Sequence, residues 1–139
     1  MYSAAREDDL GTNLNVGPFR DSGLAKLWSR VLKEKRATMV DFSHYTPSNE
    51  VAAFIGAPVF DKDGEIYAVL ALQISIKEID AIMQERAGMG KTGETYLVGE
   101  DFFMRTDSRF EKESTILKRK VDTVAVRRAL EGRKGIDVI

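Results

Sequence analysis

The chain contains no cysteine, which excludes disulfides, thiolate nucleophiles and Cys-ligated metals together. It contains one histidine, His44, so a His-based zinc site would lack partners, and His44 reads as a solvated or hydrogen-bonded loop residue. Long apolar runs are also missing. The longest, residues 66–76, is interrupted by Gln73 and Ser75 and is far short of the ~20 residues a membrane span needs. No segment reads as a signal peptide. Excess charge is absent as well: the formal net charge is −1, so the overall balance does not draw the chain to nucleic acid or to an anionic membrane. The cysteine-free composition is compatible with an oxidising compartment.

What is present describes a folded domain. Apolar residues make up 43% of the 139 and charged residues 31%, enough core formers to exclude a disordered chain. Basic residues crowd the last quarter, among them Lys118, Arg119, Lys120, Arg127 and Arg128. Glu111, Glu113, Asp122 and Glu131 interleave with them and no aromatics do, which fits a solvated helical face better than a nucleic-acid patch.

Periodicity supplies the elements. Residues 2–6 read as a short strand, followed by turn chemistry over residues 7–13. Leu24, Leu27, Trp28, Val31 and Leu32 fall on one helical stripe, with Asp21 or Ser22 as N-cap. Residues 38–43 and 51–60 read as strands, separated by Pro47, which a central ladder position would not tolerate. Asp61-Lys62-Asp63-Gly64 supplies a hairpin turn with Gly64 at positive φ. Residues 65–74 return as a strand that is apolar on both faces, predicting a central position. Ser75-Ile76-Lys77-Glu78 matches a capping box for a helix carrying Ile76, Ile79, Ile82 and Met83 and ending at Gly88. A second hairpin is predicted with arms at 95–98 and 103–106, and a last helix from Asp122 to Gly132. Hairpins outnumber strand–helix–strand units, predicting an α+β fold with a mostly antiparallel sheet flanked by helices.

Several motifs imitate chemistry. Gly88-Met89-Gly90-Lys91-Thr92 ends like a phosphate loop, but Glu85 stands where the first glycine belongs and the segment follows a helix. The 61–64 turn opens like a calcium loop but lacks the remaining oxygen ligands. Asp8 and Asp9, adjacent in sequence, point to opposite sides of an extended segment and are poor partners for acid–base work. There is no nucleophile elbow and no metal-ligating His pair. The residues give an enzyme nothing to stand on, and they imply no cofactor or metal.

Four stretches resemble the double Cache sensor regions of bacterial methyl-accepting chemotaxis receptors and related receptor kinases and cyclases. They are residues 6–14 (REDDLGTNL), 41–48 (DFSHYTPS), 53–59 (AFIGAPV), and 90–99 (GKTGETYLVG) with its downstream 104–110 (MRTDSRF). The resemblance implies PAS-like Cache modules, each an antiparallel sheet with helices on its faces and a ligand pocket under the helical cover. It implies that residues 1–88 are most of a membrane-distal module without its long N-terminal helix and first strand, and that 89–139 open a membrane-proximal module. The parent would then be an inner-membrane receptor with this portion periplasmic or extracellular. Its ligand would be a small molecule such as an organic acid, amine or amino acid, and it would take no nucleic acid. The amino-acid signature of some Cache receptors, an Arg followed by Trp-Tyr, is not matched, since Trp28-Ser29-Arg30 has the wrong order.

The ligand site expected on these grounds is built from Asp41, Tyr45, Tyr67, Gln73 and Trp28. Gln73 is the one polar side chain well inside its strand and shares a face with Tyr67. Asp41 and Tyr45 flank the segment entering the next strand, and Trp28 would form the helical lid. Each has a plain structural alternative: Gln73 bonding neighbouring backbone, Asp41 capping a turn, Trp28 filling the core. Two rival functions keep the fold: the same sensor on a histidine kinase or diguanylate cyclase, and a non-binding spacer. An uncovered sheet edge also suggests self-association as a homodimer.

Overall fold

The computed structural model describes residues 8–136, and the strand expected at residues 2–6 lies outside them. Two compact units divide the chain, one through Ile76 and one from Lys77. The boundary lies between Ile76 and Lys77, where the helix that follows Ser75 bonds into the second unit through Asp80 and Met83.

The first unit is an α+β sandwich of one helix on one sheet. Helix α1, Gly23–Glu34, starts where the Ser22 hydroxyl accepts from the Ala25 amide at 3.2 Å, and ends at Lys35, whose left-handed φ of 51° returns its N–H to Val31. Strands β1 (Thr38–Tyr45), β2 (Glu50–Phe60) and β3 (Ile66–Ser75) form an antiparallel sheet in the order β1-β2-β3. Leu27 and Val31 of α1 are fully buried against Tyr45, Ala52 and Phe54, with Leu24, Val40, Val69 and Ala71 packed around them. Each large apolar side chain buried this way contributes roughly 1.5–3 kcal/mol. The helix lies close because Gly56 has no side chain: a Cβ there would stand 2.8 Å from Leu27 Cδ2 and 2.9 Å from the Leu70 carbonyl oxygen. Trp28, 100° round the helix from Leu27, is only half-buried.

The 61–64 turn forms as expected. Gly64 has φ 82°, the Asp61 amide donates to the Glu65 carbonyl at 2.8 Å, and Asp61 Oδ1 accepts from the Asp63 and Glu65 amides. The position of β3 is a correction, because among the described residues it is an edge strand and β2 is central. Its Val69 and Ala71 meet α1, but Leu70 and Leu72 on the reverse face are 62% and 61% exposed. Met39, Ile55 and Leu72, aligned across the three strands, make an apolar row on that face.

The second unit is held mainly by polar side chains. Helix α2, Ile76–Met83, ends five residues before Gly88, because Thr95 Oγ1 donates to the Met83 carbonyl at 2.8 Å and takes up one of its unpaired terminal acceptors. The Ser75 hydroxyl, expected to cap this helix, donates to Glu50 Oε2 at 3.2 Å across the sheet. The second hairpin is reduced to one isolated bridge, Val98 to Met104, and its second arm also bridges from Phe103 to Lys120. Its turn is tight: the Phe102 amide reaches the Gly99 carbonyl at 2.9 Å with Phe102 at φ 68°. A regular ladder fails because the Leu97 amide is taken by the Thr106 hydroxyl, at 3.0 Å, and not by a carbonyl. Helix α3, Val124–Leu130, is capped by Thr123 and followed by Gly132 at φ 78°, close to the expected bounds. No helix among the described residues is long and apolar enough to cross a membrane.

Candidate functional site

The polar groups of the first unit collect at one end of the sheet, around the 46–49 turn between β1 and β2. Tyr45 closes β1 opposite Glu50 in the ladder. Its ring, 1% exposed, meets Phe54 edge-on with centroids 4.8 Å apart, and its hydroxyl donates to Asp9 Oδ2. Asp9 is itself 3% exposed and is held by its own turn, where its carbonyl accepts from the Thr12 amide at 3.0 Å and hydroxyl at 2.7 Å. Its second carboxyl oxygen, Oδ1, is buried and has no hydrogen-bond partner among the described residues. Buried polar atoms are nearly always satisfied, so an acceptor left open beside a buried tyrosine is where a donor from elsewhere has most to gain.

Beside this pair, Gln73 Nε2 donates to Ser48 Oγ at 3.1 Å and Glu50 Oε1 at 2.9 Å, pinning β3 to the turn. Glu50 also accepts from Ser75, so its two carboxyl oxygens brace the edge strand. Gln73 thus bonds neighbouring side chains and not backbone.

The remaining expected residues do not converge here. Asp41 and Tyr45 would share a face in a regular strand, but a bulge between Val40 and Ser43 breaks the alternation. Phe42 turns inward and Asp41 outward, where its Oδ1 accepts from the Phe42 amide at 2.6 Å. Tyr67 is 81% exposed near the opposite end of β3, six residues or about 20 Å along the strand from Gln73. Trp28 stands half-buried on α1 beside the core. Asp9 was set aside in the sequence because its neighbour Asp8 points the other way. That alternation is the signal that could have found it, since one of two adjacent carboxyls in a turn packed on a core must face inward.

In the second unit the string from Gly90 to Gly99 and its downstream partner interlock. Asp107 Oδ1 accepts from the Thr115 amide at 2.6 Å and Ser114 Oγ at 2.9 Å, while the Asp107 amide donates to Asp80 Oδ1 and its carbonyl accepts from Gln84 Nε2, both at 2.6 Å. Ser108 Oγ donates to Glu94 Oε2 at 2.6 Å. Arg105, 5% exposed, reaches Asp101 Oδ1 at 3.0 Å and the Phe103 carbonyl at 2.9 Å. Partial desolvation raises the Asp101 pKa, but the hydrogen bonds from Arg105 and the Phe103 amide outweigh it, and the carboxyl lies below its usual range. Lys91 sits in a turn closed by Gly93 N–H to the Met89 carbonyl, with the Gly90 carbonyl accepting from Arg109, so the loop is built around side-chain ties and not as a phosphate cradle.

The fold of the chain is similar to that of a solved chemoreceptor ligand-binding domain. That solved structure is the ligand-binding domain of the Pseudomonas fluorescens chemoreceptor CtaA, crystallised in complex with L-valine. The TM-score is 0.52 and the sequence identity 17%, over 82% of this chain and 45% of that one. The likeness is therefore one of fold, and the chain spans less than half the length of that domain. No protein-family model and no curated protein matches the sequence.

Proposed function

We propose that this chain is part of the extracytoplasmic small-molecule sensing domain of a bacterial transmembrane chemotaxis receptor and carries no catalytic activity of its own. The observation that supports it is the chemoreceptor sensor fold over 82% of the chain. In this reading the ligand's polar head meets the sheet end where Asp9 Oδ1 is buried without a partner, with the Tyr45 hydroxyl fixing the opposite carboxyl oxygen. Gln73 lies at the same end, while Asp41, Trp28 and Tyr67 are outlying positions that ligand or movement would have to bring in. A carboxyl acceptor selects a ligand with an ammonium, amide or hydroxyl donor. The CtaA domain was crystallised with an aliphatic amino acid, so such compounds head the screen, followed by amines and organic acids.

The test is a thermal-shift and calorimetric screen of this chain. A ligand at a hundred times its dissociation constant stabilises by ~2.7 kcal/mol, well within detection. For the strongest hit, Asp9→Asn and Tyr45→Phe are expected to weaken binding at least about tenfold, the loss of one hydrogen bond to a charged group. Substitutions at Asp41, Gln73, Trp28 and Tyr67 then rank the other positions. If both Asp9→Asn and Tyr45→Phe fold and leave the affinity within about twofold, the site is elsewhere.

A further inference from the structure

We propose that the outer face of α1 is a second binding site, taking a small anion that carries two or more carboxylate or phosphate groups. A cleft of about 500 Å³ runs along this helix, lined by Arg20, Lys26, Ser29, Arg30, Lys33 and Glu34. Four of these are cationic and one is acidic, in a chain whose net charge is −1. At 100° per residue Lys26 and Lys33 are nearly eclipsed on the side of the helix turned away from Leu27 and Val31, and Arg30 lies between them along the axis, at the border of that side. Like charges three and four residues apart repel along a helix surface, so the stripe destabilises α1 until something neutralises it.

The available carboxylate does not neutralise it. Glu34 is shared between Arg30 Nε at 2.8 Å and Arg36 Nη2 at 2.6 Å. Neither Lys26 nor Lys33 has a carboxylate within ion-pair distance among the described residues. Among the described residues Arg20 approaches only Asp21, at 3.6 Å, with both side chains largely exposed. Arg30 is better fixed than a surface arginine usually is: Nε holds Glu34 and Nη1 donates to the Met39 carbonyl at 3.1 Å, which orients the guanidinium and leaves Nη2 uncommitted. A planar guanidinium held in place, flanked by two lysines, matches carboxylate and phosphate oxygens.

The same lining argues against larger anionic partners. A membrane-adsorbing surface sets its cations beside large apolar side chains that insert, and single-stranded nucleic acid needs aromatic platforms. This cleft is shallow, and its lining has neither kind of residue. Lys26 and Lys33 are about 10 Å apart along the helix axis, a span that two acidic groups of one small molecule can bridge. The site is on the solvent side of α1 and the Asp9–Tyr45 pair on its core side, so the two readings stand or fall separately.

The experiment is calorimetric titration of the chain at low ionic strength with citrate, inorganic phosphate and, as monovalent control, acetate, together with flotation on phosphatidylglycerol vesicles. Citrate is expected to saturate a single site, to bind more tightly than acetate at equal ionic strength, and to weaken at least about tenfold in the Lys26→Glu/Lys33→Glu variant. Both lysines are exposed, and an unchanged circular dichroism spectrum confirms folding; Lys26→Gln/Lys33→Gln replaces the variant if it is perturbed. Equal affinity of variant and parent for citrate overturns the proposal, as does acetate matching citrate or binding confined to the vesicles. A ligand dependent on Tyr45 should bind the lysine variant unchanged, which separates failure here from failure of the sensing site.

Discussion

Tyr45→Phe removes one oxygen and leaves the ring, so its effect reports on the hydroxyl alone. The ring keeps its edge-on contact with Phe54 and its place among Leu27, Val31 and Ala52. What disappears is the donor to Asp9 Oδ2, and Asp9 is 3% exposed with Oδ1 already unpartnered, so water does not readily replace it. A hydrogen bond to a charged group is worth ~1.5–3 kcal/mol, and removing only one partner brings the cost toward the top of that range. For a chain of this length ~2 kcal/mol corresponds to a fall of about 8 °C in melting temperature. The sharper assay is a double-mutant cycle followed by urea unfolding. Asp9→Ala should cost markedly less in the Tyr45→Phe background than alone, with a coupling of at least ~1 kcal/mol. Additive costs, or a Tyr45→Phe melting point within about 1 °C of the parent, would falsify the pairing on which the proposed site rests.

Gly56→Ala should destabilise the first unit by ~1–3 kcal/mol, since the new methyl meets Leu27 and the immobile Leu70 carbonyl and forces α1 off the sheet; unfolding midpoints measure it, and a neutral result would mean the helix has room to shift. Asp101 titrates below its ordinary value in the folded chain, so its contribution is full above the unfolded aspartate pKa and is lost as pH falls through the lowered folded one. Asp101→Asn should therefore lower stability at neutral pH and flatten its decline in acid, where superposable stability–pH curves for variant and parent would contradict the assignment.

The elements that the sequence made legible are those governed by local chemistry. Ser22 as cap, the Leu24–Leu27–Val31 stripe and the turn closed by Gly64 follow from hydrogen-bonding groups and backbone freedom within a few residues. The resemblance carried by the strings around Asp41 and Gly90 likewise anticipated the sensor fold. Tertiary structure decided what depends on neighbours distant in the chain. Apolar residues on both faces of β3 could not reveal that one face would be left exposed at a sheet edge, because composition does not say what covers a surface. One extra residue in β1 put Asp41 and Tyr45 on opposite sides, a register fact that period-two counting cannot foresee. Asp9 acquired its role only when folding brought it to Tyr45, 36 residues away. The cationic stripe of α1 was written in the spacing of Lys26, Arg30 and Lys33, but it became a site only when Arg36 helped to occupy Glu34 and the Met39 carbonyl fixed Arg30.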